Sequence, residues 1–166
     1  VYSYGRVRKS EWRRRAEKDA TSFIDVSDMS DSDIVSLARE HELDIAIDVN
    51  GYTKNTRSRL FAYRMAPIQI NYLGYPSTMG ADFIDYLIGD NIIIPDEQRE
   101  FYSEKIIYMP HCYQPNDEAR SIAETVTSRS DFSLPEDGFV FCCFNNNFKI
   151  SPKAVSYTHL TLPTTT

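Results

Sequence analysis

Apolar and polar positions change period several times along this chain, and each change predicts an element. Residues 11–20 (EWRRRAEKDA) read as a helix and residues 22–26 as a short strand. Ser30-Asp31-Ser32-Asp33 then opens a helix reaching Glu40, in which Ile34, Leu37 and Ala38 recur at i, i+3 and i+4. LDIAIDVN, residues 43–50, is a strand with Ile45 and Ile47 flanking Ala46, and Gly51-Tyr52-Thr53 is its turn. Residues 56–65 read as a helix that ends before Pro67, because the residue preceding a proline leaves the α region. Strands follow at 68–73, 86–89 and 106–109. SLPEDG, residues 133–138, is a turn that leads into a buried strand at 139–144 with Asn145-Asn146-Asn147 as its exit. Strands alternating with helices at this spacing predict βα units, hence an α/β, Rossmann-like, mostly parallel sheet.

Composition narrows the class. A chain of 166 residues, 42% hydrophobic and 13% aromatic, holds enough apolar surface for a core. Its net charge of -6 excludes nucleic acid as the main partner, since such proteins neutralise phosphates with Lys and Arg. The one basic stretch, Arg6 to Lys18, is interrupted by Glu11 and Glu17 and reads as a solvated helix face. Cys112, Cys142 and Cys143 have no zinc spacing and are odd in number, so free buried thiols in a reducing compartment are expected. No apolar run approaches the roughly 20 residues of a membrane span, and no leader is visible, so the expected setting is cytoplasmic.

In a parallel sheet, ligands gather beyond the carboxyl ends of the strands. Three loops are expected there. Asn50-Gly51-Tyr52-Thr53-Lys54 precedes a helix carrying Arg57, Arg59 and Arg64, whose plainer reading is a glycine turn with solvated cations. In the loop from Gly74 to Gly80, Gly74 lets a ligand approach the main chain and Pro76 stiffens the turn. Ser77, Thr78 and Gly80 are its candidate donors. The third runs from Phe144 to Pro152, where Asn amides and the Lys149 ammonium suit a diphosphate, although a plain polar loop explains the composition equally. Asp31-Ser32-Asp33 has the form of a D-x-D metal clamp, but acidic and hydroxyl residues at a helix start are what capping favours. His41 and His111 have no nucleophile elbow or metal-ligand partner and read as structural, while His159 lies in an anomalous tail.

Three stretches, in order, carry a resemblance: DVNGYTKNTRSRLFAYRMAPIQINYLGYPSTMGADFIDYLIGD, YSEKIIYMPHCYQPND and LPEDGFVFCCFNNNFKISP. Together, over roughly residues 24–154, they resemble the catalytic region of the O-linked N-acetylglucosamine transferase family. These are tetratricopeptide-repeat proteins with a two-lobed GT-B glycosyltransferase. The resemblance implies an inverting, metal-independent transfer from UDP-N-acetylglucosamine to Ser/Thr hydroxyls of proteins, with no cofactor. Lys149 falls on the essential lysine that contacts the diphosphate, and Asn146 on a neighbouring donor-binding position. Leu73 and Gly74 fall on main-chain positions lining the sugar pocket, while Tyr52 and Lys54 flank the acceptor cleft.

The implied organisation is residues 1–132 as part of the N-terminal lobe and 133–154 as the start of the nucleotide-binding lobe. The family's histidine and aspartate near the reacting centre, and its repeats, are expected upstream of Val1, so residues 1–154 alone are expected to be inactive. Three positions depart from the usual pattern: Met65 in place of a proline, Ser77 in place of a glycine, and Phe148 where tyrosine is frequent. A protein O-fucosyltransferase using GDP-fucose, a non-catalytic scaffold and a sugar-nucleotide epimerase are the alternatives. Residues 155–166 are expected to be non-native. Residues 155–164, back-translated as GTC TCT TAT ACA CAT CTG ACG CTG CCG ACG, resemble the transposon end and adapter of sequencing libraries.

Overall fold

The computed structural model describes residues 1–5 and 10–142. The chain divides into two compact units, Val1–Asp117 and Glu118–Thr166.

The first unit is α/β. It contains β1 (Tyr2–Ser3), α1 (Glu11–Asp19), β2 (Ile24–Asp25), α2 (Asp31–Glu40), β3 (Ile45–Asp48), β4 (Ile68–Asn71), β5 (Tyr86–Gly89) and β6 (Lys105–Tyr108). Strands β3-β4-β5-β6 form one sheet in that order, and β1-β2 a second, with every described pairing parallel. The expected sheet class therefore stands.

Both helices begin where capping chemistry places them. Ser10 accepts from the Arg13 N–H at the start of α1, and Ser30 from the Asp33 N–H at the start of α2, with Asp33 Oδ2 accepting from the Ser30 hydroxyl in return. On α1, Arg13 pairs with Glu17 and Arg15 with Asp19, which bears out a charged outer face. Ile34, Val35 and Ala38 of α2 pack into the core with Val26, Ala46, Leu60, Phe61 and Met65. His41 makes a contact within the fold, its Nδ1 lying 2.7 Å from the Tyr2 hydroxyl.

Residues 56–65 do not form the expected α-helix. A 3-10 helix spans Ser58–Tyr63 and ends at Arg64 in the left-handed region, φ 53°. Side-chain anchors override propensity here: the Ser58 hydroxyl reaches Asp48 Oδ2 at 2.5 Å, and Arg57 is drawn to Asp31, Val26 O and Met29 O. A second 3-10 helix, Asp96–Phe101, was not expected from the pattern.

Register sorts the sheet into two faces. Ala46, Asp48, Gln69, Asn71 and Leu87 are buried on one, under α2, the 3-10 helix and the loops. On the other, Ile45 and Ile47 are about half exposed and Ile68 and Ile107 lie open. Parallel sheets are ordinarily covered on both faces. Among the described residues this one is fully covered on one face and partly on the other, where Ile70 is buried between the more open isoleucines.

In the second unit, Arg129 organises the expected turn, its guanidinium donating to the carbonyls of Pro135 and Gly138 at 3.1 and 2.9 Å. The buried strand expected at 139–144 is not formed over its described part. Phe139 and Phe141 are 82% and 81% exposed and meet only edge to face. A strand needs a hydrogen-bonded neighbour, and the described residues of this unit offer none. Among the described residues Cys112 and Cys142 are free, as expected, but exposed rather than buried, while Cys143 lies outside the described residues.

Candidate functional site

Strands β1 and β3 belong to separate sheets, β2 pairing with β1 and β4 with β3. The two strands flank a crevice of about 430 Å³ lined by Tyr2, Tyr4, Ile45, Ile47, Val49 and Asn50, among others. The Tyr4 hydroxyl accepts from Asn50 Nδ2 at 2.7 Å across it. The crevice runs along both strands, and only its Tyr4, Val49 and Asn50 end lies beyond their carboxyl ends, where open α/β sheets bind ligands.

Three strands leave the sheet through a buried acidic or amide side chain that binds the loop after it. Asp48 Oδ1 accepts from the N–H groups of Asn50 and Gly51 at 2.9 and 3.1 Å. Asn71 Nδ2 donates to the carbonyls of Tyr75 and Ser77 at 2.9 and 3.2 Å. Asp90 accepts from Ile92, Ile93 and, on its other oxygen, Tyr113 at 2.8–3.0 Å. These N–H groups hold the Asp90 carboxyl below the usual carboxylate range, Tyr113 contributing most. The sequence signal was a polar residue closing an apolar run, in IAID, IQIN and YLIGD.

The first two devices bring the loops after β3 and β4 together. Gly51 adopts φ +57°, and a Cβ there would stand 2.4 Å from Tyr75 Cβ. The Gly74 N–H donates to Val49 O at 3.1 Å, and a Cβ on Gly74 would meet that oxygen at 2.4 Å. Leu73, between them, is held at φ +72°, a costly region for a branched residue. Gly74 is exposed and Leu73 half-buried, so this strained main chain faces outward. The Tyr52 and Tyr75 rings meet edge to face with centroids 5.7 Å apart, and Lys54 is exposed on the same loop as Tyr52.

Farther along, Glu104 accepts from the Met79 N–H at 2.6 Å and the Thr78 hydroxyl at 2.7 Å. The Thr78 hydroxyl is thus turned to Glu104 rather than outward as a ligand donor.

Of the sequence-derived candidates, Leu73, Gly74, Tyr52 and Lys54 lie on two adjoining loops at one sheet edge. Asn146 and Lys149 lie outside the described residues. Arg57 and Arg59 both pair with Asp31, and Arg64 pairs with Asp85, so each of these arginines already has a carboxylate partner within the fold. Asp31 is thereby consumed, its carboxyl held below the usual range by Arg57 first and then Arg59, and the described residues contain no metal-ligand cluster. Met65 donates its N–H to Gln69 Oε1 at 3.0 Å, a bond that a proline at that position lacks. Asp48, Asn71 and Glu104 are the supports that sequence reasoning missed.

Comparison with known proteins bears on this edge. Residues 1–124 match glycosyl transferase family 41. The Arabidopsis thaliana protein named "Probable UDP-N-acetylglucosamine--peptide N-acetylglucosaminyltransferase SEC" is 41% identical over 152 residues, 89% of this chain and 16% of its own length. The Caenorhabditis elegans UDP-N-acetylglucosamine--peptide N-acetylglucosaminyltransferase is 36% identical over 147 residues, 86% of this chain and 12% of its own length. Among solved structures, a mutant of Thermobaculum terrenum O-GlcNAc transferase aligns with TM-score 0.66 and 26% identity, covering 82% of this chain and 28% of that one. This chain thus spans less than a third of the length of each of these relatives. The matched region includes the whole described edge from Tyr4 to Glu104, and the chain belongs to glycosyl transferase family 41.

Proposed function

We propose that the whole protein transfers N-acetylglucosamine from UDP-N-acetylglucosamine to Ser/Thr hydroxyls of proteins, with inversion and without a metal. The observation that carries this reading is the pairing of a 41% identical relative named for that donor and peptide acceptors with an outward-facing Leu73-Gly74 main chain. Residues 1–132 serve as part of the first lobe and 133–154 as the start of the second. Leu73 and Gly74 wall the sugar, and Tyr52 and Lys54 border the acceptor. Upstream repeats select the acceptor proteins.

In the transfer, the acceptor oxygen bonds to the anomeric carbon from the face opposite UDP. The bond from that carbon to the phosphate oxygen breaks, its electron pair leaves with UDP, and the hydroxyl proton passes to a base elsewhere in the protein. The departing diphosphate gains charge, which Lys149 offsets with Asn146 beside it. A cation supplied by the protein takes the place that a divalent ion would otherwise hold.

The test uses the full-length protein with a Ser/Thr-rich peptide and either UDP-N-acetylglucosamine or GDP-fucose, read by peptide mass. A hexosamine-sized gain that Lys149→Ala abolishes is expected. A fucose-sized gain would move the donor, and no gain with either would favour a non-catalytic scaffold.

A further inference from the structure

Asn71 is fully buried at the carboxyl end of β4, and both of its amide hydrogens are spent on the main chain just beyond Leu73-Gly74, at Tyr75 O and Ser77 O. Its Oδ1 has no hydrogen-bond donor among the described residues. That oxygen lies against the neighbouring loop, where a Cβ on Gly51 would approach it to 3.1 Å. The amide donors account for holding the Tyr75 and Ser77 carbonyls, but the buried Oδ1 makes no bond that stability would explain. The geometry is instead that of a spacer, with its amide pulling one loop down and its carbonyl setting the distance to the other.

We propose that Asn71 is the positioning residue for the sugar-side main chain, holding Leu73 and Gly74 against the 50–54 loop in the conformation that receives the donor sugar. This rests on the reading of Leu73 and Gly74 as the wall of the sugar pocket. Asn71 itself touches no substrate. Its loss acts through the loop, so the sugar portion of the donor is affected and the nucleotide portion is not.

The experiment compares full-length wild-type protein with Asn71→Ala and Asn71→Ser. It measures kcat, KM for UDP-N-acetylglucosamine, KM for an acceptor peptide, and Kd for UDP alone by calorimetry. Displacing a positioned group by about an ångström costs up to roughly a hundredfold, so Asn71→Ala is expected to raise the donor KM about tenfold or more. Kd for UDP and KM for the peptide stay near the wild-type values. Asn71→Ser, whose hydroxyl can serve one carbonyl, recovers part of the loss. A fall in kcat with both KM values unchanged would mean only a smaller folded fraction and overturns the proposal. So does an equal weakening of UDP and UDP-N-acetylglucosamine, or failure of both variants to fold. If wild type transfers nothing from UDP-N-acetylglucosamine, the proposed activity fails and takes this inference with it. Normal wild-type transfer with an unaltered donor KM in both variants sinks this inference alone.

Discussion

The Arg64 guanidinium meets the Asp85 carboxylate through two hydrogen bonds, of 2.5 and 2.7 Å, which tie the end of the Ser58–Tyr63 turn to the entry of β5. Arg64 holds the Asp85 carboxyl below its usual range, and the Gln69 N–H adds to the effect. A carboxyl with a depressed folded pKa contributes stability that is present above its unfolded value, about 3.9, and is lost as pH falls through the folded value. Asp85→Asn should therefore be less stable than wild type near neutral pH, with the deficit shrinking as acid protonates the wild-type group. Urea unfolding from pH 7 down to about pH 2, a window that reaches below the unfolded value, checks this, and a deficit that stays constant over it would refute the prediction.

At Gly74 the prediction concerns space. Gly74→Ala places a methyl 2.4 Å from a backbone carbonyl that has no flexible end to yield, so one of the two loops must move. Overpacking of this kind costs about 1–3 kcal/mol, and thermal unfolding of the full-length protein should show it. On the proposed function, the substitution also weakens transfer beyond what the lost folded fraction explains.

Glu104 is buried, and its carboxylate accepts from Met79 N–H and the Thr78 and Ser103 hydroxyls. Removing it leaves the Met79 N–H without its partner, at a cost of about 1–3 kcal/mol. Glu104→Ala should accordingly unfold earlier in urea, and Glu104→Gln, which keeps an acceptor for that N–H, should recover part of the difference. Equal destabilisation by the two would mean that charge, not the bond to Met79, is what the position supplies.

Metal removal separates the two readings of Asp31-Ser32-Asp33. With Asp31 held by Arg57 and Arg59 and Asp33 by Ser30, transfer by the full-length protein is expected to be unchanged by EDTA. Loss of transfer on chelation, restored by added Mn²⁺, would reinstate a metal in the mechanism.

Purified residues 1–154 are expected to show no transfer in the peptide-mass assay, because the proposed lobes are only partly represented. Any sugar-sized gain from that piece would overturn the domain reading.

Legibility differed by the kind of force involved. Strand Tyr86–Gly89 is readable to the residue because a short apolar run is flanked by turn formers, and α2 because its caps and its apolar spacing agree. Residues 56–65 misled because the Ser58 to Asp48 bond joins positions that no local pattern connects. The 139–144 run misled for the opposite reason, since an apolar stretch looks like a buried strand whether or not a neighbour is there to bury it. At the candidate site, the glycines and the proline marked the loop, and the resemblance gave Leu73 and Gly74 a meaning. Asn71 stayed invisible because its role appears only when the β4 exit is set against the β3 exit.

The filling of the space beside Gly51 by Tyr75, and of that beside Gly74 by the Val49 carbonyl, has a consequence for protein engineering. Each loop occupies space that the other would need for an ordinary side chain, so the pair behaves as a single cassette. Grafting the 72–80 loop alone from a relative with a different sugar preference would bring in side chains shaped for another partner. On the proposed function, retargeting the donor would call for exchanging both loops with the residue at position 71, and libraries that vary one loop at a time would sample mostly misfits.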